Sequence, residues 1–560
     1  MSVRLLPGRR AGALAVAAVA ASATTLALLA PAAATAAPAA PAPAQVPGDA
    51  YDPAPVRNGA DWLVGELDGD VFRTSFGPNV SGTVDAARSL AIVGADADAS
   101  ATVEALVPHA ASYVGDNGFG TLVGAGSTAK LAHVVQLVGG DPRDYAGIDL
   151  VAQLESRVAT EGPTAGRISD EFDPENEFGA DFANTIGQAF AADVLTEAGS
   201  ELAGPVTDFL LQQQCADGGF RLTFSAPDAE DQSCTEDPSG TDVTAYAVQG
   251  LASQLENGEV ATAADDAVAY LKGSQAADGS WTDGVGGTAN ANSTGLAGQT
   301  LGLVGDIPGN PFVVADQPEL AAIWLRKNQV DEVATCTTSL RYEKGAQAFD
   351  PAALSLGRTQ GITDGTAYQW QLSSAQTLPA LQWTPAAEDD AALSIDPYRV
   401  RAGTVAPVGI TGLAPGQSAC LVGAVATPVA VNAKINGTTT GRVQTPSLVA
   451  GSVRLGVTLV TSTQIATDKA YWLVSATRFE LSHSGTAPRN GNHTATILGA
   501  AAFEPITVTL NGRVVLRTRA DVNGRAVLTF PVGSTVGRQP FVIRGESADR
   551  YRTSTVNVTR

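Results

Sequence analysis

Two stretches of the chain follow one pattern. FLLQQQCADGGF spans residues 209–220 and YLKGSQAADGSW spans residues 270–281. Each runs aromatic, Leu, three residues, Gln, three residues, Gly, one residue, aromatic. The positions are Phe209, Leu210, Gln214, Gly218 and Phe220 in the first, and Tyr270, Leu271, Gln275, Gly279 and Trp281 in the second. A polar loop follows each, then a segment rich in small residues: GTDVTAYAVQGLASQL from Gly240 and NANSTGLAGQTLGLVG from Asn290. The same two-part unit recurs more loosely. ADWLVGELDGDVF precedes SGTVDAARSLAIVG, ASYVGDNGFG precedes GAGSTAKLAHVVQLVG, IDLVAQLESRV precedes GADFANTIGQAFAADVL, and AAIWLRKNQV precedes GITDGTAYQWQLSSAQTL. Six units, spaced by roughly 40–60 residues, predict a repeat architecture in which each unit needs its neighbours to bury an apolar face.

The second half of a unit has helical spacing: Val243, Tyr246, Ala247 and Gly250 fall at i, i+3, i+4 and i+7. Thr241 and Asp242 stand where capping residues belong. Asp217-Gly218 and Asp278-Gly279 predict tight turns between two helices, and the Gln is placed to bond backbone groups at the end of a neighbouring helix.

These residues resemble the QW-type repeat of squalene–hopene cyclases and protein prenyltransferases. The resemblance implies an all-α (α/α)6 toroid over residues 57–390, with inner and outer helices alternating around a central cavity. The catalytic signatures of that fold are missing. Class II cyclases carry an Asp-x-Asp-Asp acid, and the nearest stretch, DADAS from Asp96, lacks the last acid and reads as a surface loop. Carbocation chemistry also wants an aromatic pocket, and only 6% of the chain is aromatic. The zinc site of the prenyltransferases needs a Cys and His set that His109 and His133 do not supply. The thioester motif of complement-type toroids is not present at Cys215. Cobalamin carriers share the domain order alone. The enzyme question leans to no, with no catalytic residue assigned. No metal site or cofactor is predicted, although the dense acidic stretch ISDEFDPENEFGADF from Ile168 leaves a Ca²⁺ site open beside a solvated loop. A cavity rim is expected from the starts of inner helices, with Asp85, Lys130, Asn184, Asp242, Tyr246, Asn292 and Tyr368 as candidates.

The ends carry other information. Arg4, Arg9 and Arg10, an apolar run from Ala11 to Ala30 and Ala34-Thr35-Ala36 predict a signal peptide over 1–36. A Pro/Ala-rich linker follows over 37–56. Export permits disulfides, and Cys215–Cys234 and Cys336–Cys420 are the expected pairs. A secreted or non-covalently wall-associated protein is expected, with no membrane span after signal removal.

Charge divides the chain. Residues 1–390 hold 17 Lys or Arg against 50 Asp or Glu, and residues 391–560 hold 17 against 7. The acidic charge of the larger part argues against nucleic acid as its partner, since phosphates would be repelled. In the basic part, PITVTLNGRVVLRTRADVNGRAVLTFPV alternates with period two at Ile506, Val508 and Leu510, resuming at Val514 and Leu516. Asn511-Gly512 and Asn523-Gly524 predict hairpin turns. Two all-β Ig-like sandwiches are expected, over 395–475 and 476–560. Arg513, Arg517, Arg519 and Arg525 either guard an edge strand or attract an anionic wall polymer. The leading expectation is a non-catalytic extracellular binding or scaffold protein. The alternatives are an enzyme acting on a glycan or lipid in the toroid cavity, and a small-ligand carrier.

Overall fold

The computed structural model describes residues 50–560, apart from 68–70, 75–76, 117, 119, 236–237, 285–286, 308–313, 315, 332–335, 337, 397–398, 424–427, 446–451, 462–468, 476–477 and 547–549. The signal-peptide reading and most of the linker lie outside the described residues.

From Ala54 to Trp383 the described chain is mainly helical, with three short antiparallel strand pairs in the connections: Arg73–Thr74 with Gly77–Pro78, Thr121–Val123 with Glu171–Phe172, and Trp281–Thr282 with Ala289–Asn290. The helices are α1 (Ala54–Leu67), α2 (Val80–Ile92), α3 (Asp96–Leu106), α4 (Ala110–Val114), α5 (Ala125–Leu137), α6 (Leu150–Glu155), α7 (Thr185–Glu197), α8 (Ala203–Gln212), α9 (Thr241–Leu251), α10 (Gly258–Ser274), α11 (Ala291–Gly305), α12 (Gln317–Asn328), α13 (Pro351–Gln360) and α14 (Ala367–Thr377). Helix α3 replaces the surface loop expected at Asp96. Asp96 and Asp98 lie in its first turn, where carboxylates suit the helix dipole, and Ala99, Thr102, Val103 and Leu106 form its buried stripe. Helix α1 starts three residues inside the segment read as linker. The chain before it is held by Asp52 on Arg326 at 2.6 Å and by a Tyr51 hydroxyl bond to Glu319.

Six helices form an inner set. α2 packs on α5, α5 on α7, α7 on α9, α9 on α11, α11 on α14, and α14 returns to α2. Their small residues let backbones approach. Gly126 of α5 and Gly187 of α7 face each other, and a Cβ on Gly187 would press on Gly126 Cα at 2.9 Å.

The repeated motif is the joint between units. The Gln214 side-chain amide donates to Gly218 O and to Ala263 O of α10, at 2.9 and 2.7 Å. Gln275 donates to Gly279 O and to Gln317 O of α12, both at 3.1 Å. Gln329, after α12, donates to Gly345 O and to Pro55 O of α1, at 3.2 and 2.9 Å. Where the third unit has no such Gln, Gln188 of α7 reaches the equivalent pair, Gly166 O and Val206 O. Each glycine has positive φ, and a Cβ on it would overlap the backbone of the next outer helix: Pro205 for Gly166, Asp266 for Gly218, Leu320 for Gly279 and Asn58 for Gly345. Only glycine fits both demands. The last of these contacts joins the sixth unit to the first, so the succession closes on itself. Two residues beyond the glycine, the buried Phe220 and Trp281 donate their backbone N–H to Thr244 and Thr294 of the next inner helix. Thr241 and Asp242 are not caps. Gly240 is the cap residue, and both lie inside α9.

Two β modules follow. The first has β1 (Ala392–Ser394), β2 (Arg399–Arg401), β3 (Val405–Thr411), β4 (Ser418–Gly423), β5 (Val429–Asn432), β6 (Thr439–Gln444), β7 (Ser452–Thr461) and β8 (Lys469–Ser475). They form sheets β5-β4-β7-β8-β2 and β6-β3-β1. The second has β9 (Glu480–His483), β10 (Thr486–Pro488), β11 (Asn492–Leu498), β12 (Pro505–Leu510), β13 (Arg513–Arg519), β14 (Ala526–Pro531), β15 (Gly537–Arg544) and β16 (Tyr551–Thr559). Its sheets are β13-β12-β15-β16-β10 and β14-β11-β9. Strand for strand the two modules share one topology, each with a single parallel pair, β8 with β2 and β16 with β10. Inward positions alternate as expected on β12, burying Ile506, Val508 and Leu510.

Two details differ from expectation. The register of β12 and β13 shifts between Val508 and Thr509, so Val514 is half exposed rather than inward. Asn511-Gly512, both at positive φ, closes a two-residue hairpin. Asn523-Gly524 instead carries the chain from one sheet to the other, because β13 and β14 belong to different sheets. The disulfides are Cys215–Cys234 and Cys336–Cys420, the second tying the helical part to the first β module.

Candidate functional site

The inner helices start in equivalent register, and the same helical positions therefore meet at the centre. Asp85 and Arg88 on α2, Lys130 and His133 on α5, Phe190 and Asp193 on α7, and Tyr246 and Gln249 on α9 are the sixth and ninth residues of their helices. Lys130 Nζ lies 2.6 Å from Asp85 Oδ1. Arg88 spans the centre from α2 to α9, donating to Gln249 Oε1 at 2.5 Å, and Gln249 donates to Thr300 of α11 at 2.6 Å. The guanidinium lies over the Phe190 and Tyr246 rings at 5.9 and 5.7 Å. His133 Nδ1 bonds Asp193 Oδ2 at 2.8 Å.

Burial dominates the electrostatics here. It would push the Lys130 ammonium down, but the charge of Asp85, reinforced by Tyr113, Tyr246 and the hydrogen bond to Asp85, holds it above the ordinary lysine value. Burial pushes the Tyr246 phenol up to about 12, with Asp85 adding to the shift, and raises Tyr113 in the same way. Asp242, at the start of α9, is pushed up to about 6 by burial against a hydrogen bond from Ser293. Its Oδ1 has no partner among the described residues, as is true of Arg88 Nε, His133 Nε2 and Gln299 Oε1.

A cleft of about 530 Å³ opens onto this centre between α2, α4, α5 and α7. Its walls are Ser81, Ser112, Tyr113, Ser127, Asn184 and Phe190, with Phe182 at the rim. Phe182 is 61% exposed, and Phe178, on the same loop, 62%. The acidic stretch from Ile168 builds this rim, and its two inner carboxylates are consumed in shaping it. Asp170 accepts from Ala125 N and Phe182 N, and Asp181 accepts from Asp170 N, Ala183 N and Arg167. Burial also raises Asp170 above the usual carboxylate range. Among the described lining residues, Lys130, Asp170 and Tyr113 are the titratable ones.

Of the seven rim candidates, Asp85, Lys130 and Tyr246 meet at the centre. Asn184 caps α7 through bonds from Ile186 N and Gly187 N and lines the cleft. Asp242 and Asn292 lie at the starts of α9 and α11, where Asn292 accepts from Ser373 of α14 at 2.9 Å. Tyr368 is 52% exposed and joins none of these groups. Sequence reasoning missed Arg88, Asp193 and Gln249. The signal was available: each sits three residues after a central position of its own helix, on the same face. Phe182 and Tyr113 carried no such signal, because they come from connections between units.

No family model matches the sequence, and no curated protein does. Among solved structures, a protein from Actinoplanes is 20% identical, covering 59% of this chain and 98% of that chain with a TM-score of 0.39. The type II terpene cyclase MstE from Scytonema is 15% identical over 58% of this chain and 96% of its own, with a TM-score of 0.39. The Yersinia pseudotuberculosis adhesin InvE is 12% identical over 30% of this chain and 59% of its own, with a TM-score of 0.18. Likeness at this level carries no argument about activity.

Proposed function

We propose that the chain is an extracellular, non-catalytic binding protein. In this reading its helical part is an α/α toroid holding a neutral carbohydrate unit in the cleft, and its Ig-like modules act as a stalk. The observation that carries this reading is the state of the cleft's charged groups. Lys130 is neutralised by Asp85 at 2.6 Å, and Asp170 is spent on two backbone N–H groups. What remains for a ligand is the hydroxyls of Ser81 and Tyr113, the hydroxyl oxygens of Ser112 and Ser127, one N–H of the Asn184 amide, and the apolar faces of Phe182 and Phe190. Ser112 and Ser127 already donate to His109 O and Gly124 O, and the Asn184 amide oxygen caps α7 while its other N–H meets Phe182 O. Hydroxyl and amide partners beside an aromatic face suit a polyhydroxylated, uncharged ligand. The excess of acidic residues before Asp390 works against a polyanion at this site.

A catalytic reading draws support from Asp242, a buried acid held at about 6. Hydrolysis of a glycoside needs a second carboxylate across the scissile bond, and Asp242 is not among the residues lining the cleft, where Asp170 is engaged. The test is titration calorimetry of the purified protein with neutral oligosaccharides, beside Phe182→Ala and Asn184→Ala variants. A bound oligosaccharide whose affinity falls at least tenfold in Phe182→Ala supports the reading. Binding unchanged in both variants, or no neutral oligosaccharide bound, refutes it.

A further inference from the structure

We infer that the outer face of the second β module's five-stranded sheet is a docking surface for a linear anionic polymer with a phosphodiester backbone. Residues 478–560 hold 11 Arg, no Lys and 5 Asp or Glu. The fold sorts these charges. Glu504 is taken out of the surface by Arg550, with which it makes two bonds of 2.7 and 2.8 Å in the core. Asp521 folds back to accept from the N–H groups of Asn523 and Arg525.

On the outer face the register places Thr507 of β12 between Arg517 of β13 and Arg544 of β15. Adjacent strands lie about 4.8 Å apart, so the two arginines stand roughly 10 Å apart with a short side chain between them. Arg519 follows Arg517 on the same face, about 7 Å along the strand, opposite Pro505. Arg538 extends the row along β15, opposite Asn557. Arg544 lies over the Tyr551 ring at 5.5 Å.

Protection of an edge strand accounts for basic residues on β13, which is the edge of its sheet. It does not account for Arg538 and Arg544, because β15 is an interior strand between β12 and β16. Guanidinium groups suit phosphate oxygens bidentately. A row of them on a pleated face fits an extended chain rather than a small anion, which would need a concave site. The acidic helical part would be repelled by the same polymer, so docking would leave the cleft turned to solution.

The experiment uses the full chain after removal of residues 1–36, immobilised poly(glycerol phosphate), and biolayer interferometry across a salt series. Wild type is expected to bind with affinity falling steeply as salt rises. The double variant R517Q/R544Q should bind at least tenfold more weakly, with the log–log salt slope reduced by about two. R489Q, outside the row, should behave as wild type. A thermal melt of each variant equal to that of wild type keeps folding out of the comparison. The proposal fails if wild type does not bind at low salt, or if R517Q/R544Q binds as wild type does. It also fails if double-stranded DNA binds as tightly, which would assign the face to nucleic acid.

Discussion

Replacing Gln329 with Ala should open the ring of helices at one place. The side chain is 2% exposed, and its amide is shared between Gly345 O within the sixth unit and Pro55 O in the first turn of α1. Ala removes both bonds; Pro55 O keeps its partner inside α1, and Gly345 O is the carbonyl left short of one. Buried hydrogen bonds contribute about 1 kcal/mol each, and an unsatisfied buried carbonyl costs about 1–3 kcal/mol. Partial relaxation puts the net loss at about 2–4 kcal/mol. If that loss falls on the docking of α1 rather than on the whole region, the opening constant of α1 rises roughly 30- to 1,000-fold. Hydrogen exchange followed by mass spectrometry reads this directly. Amides of residues 54–67 should exchange faster, while those of α7 and α9 keep wild-type rates. Gln275→Ala should move the effect to α12, and Gln360→Ala, at an exposed position, should change nothing. Wild-type exchange of α1 in the Gln329 variant, or uniform acceleration across all helices, would refute a ring closed by the same joint that links its units.

Three further outcomes follow from other parts of the molecule. Lys130→Met should cost about 3–5 kcal/mol, because Asp85 is left charged and buried, whereas Asp85→Asn combined with Lys130→Met should recover most of the loss; equal urea midpoints for the two variants would contradict the pairing. In the second β module, His493 Nε2 lies 3.1 Å from His483 Nδ1 among Phe530 and Phe541. Burial, with the charge of His483 adding, lowers the pKa of His493. The unfolded chain therefore binds a proton more readily. Stability should hold above about pH 6.5 and fall as acid carries the pH below that unfolded value toward the lowered folded one. A melting temperature independent of pH between 5 and 7.5, read in wild type against His493→Phe, would oppose this. Finally, Cys336→Ser with Cys420→Ser should make the segment around Asp390 more open to limited proteolysis, since that disulfide ties the two regions; cleavage at the wild-type rate would show the tie to be redundant.

The joint between units was legible because it is built from side chains with fixed duties. A Gln must reach two carbonyls, a Gly must accept positive φ against a neighbouring backbone, and a Thr must receive a buried N–H. The third unit hid its joint because Gln188 performs the task from the inner helix. Of the site, Asp85, Lys130 and Tyr246 could be named from their places near inner-helix starts. Their contact could not, since it depends on equal register of four helices distant in sequence. Phe182 was illegible for a different reason: its position follows from how Asp170 and Asp181 fold an acidic loop back upon itself. In the β region, alternation gave the buried residues of β12, and one bulge was enough to turn Val514 outward.

The central claim is that the cleft holds a neutral sugar and leaves it unchanged. The direct measurement is to incubate the purified protein with a neutral oligosaccharide that it retains in equilibrium dialysis, then determine the chain length of the recovered ligand by mass spectrometry. The account predicts retention that is weakened by Phe182→Ala, with every recovered chain at its starting length. Shortened chains produced by wild type and lost in Asp242→Asn would contradict it and make the protein an enzyme.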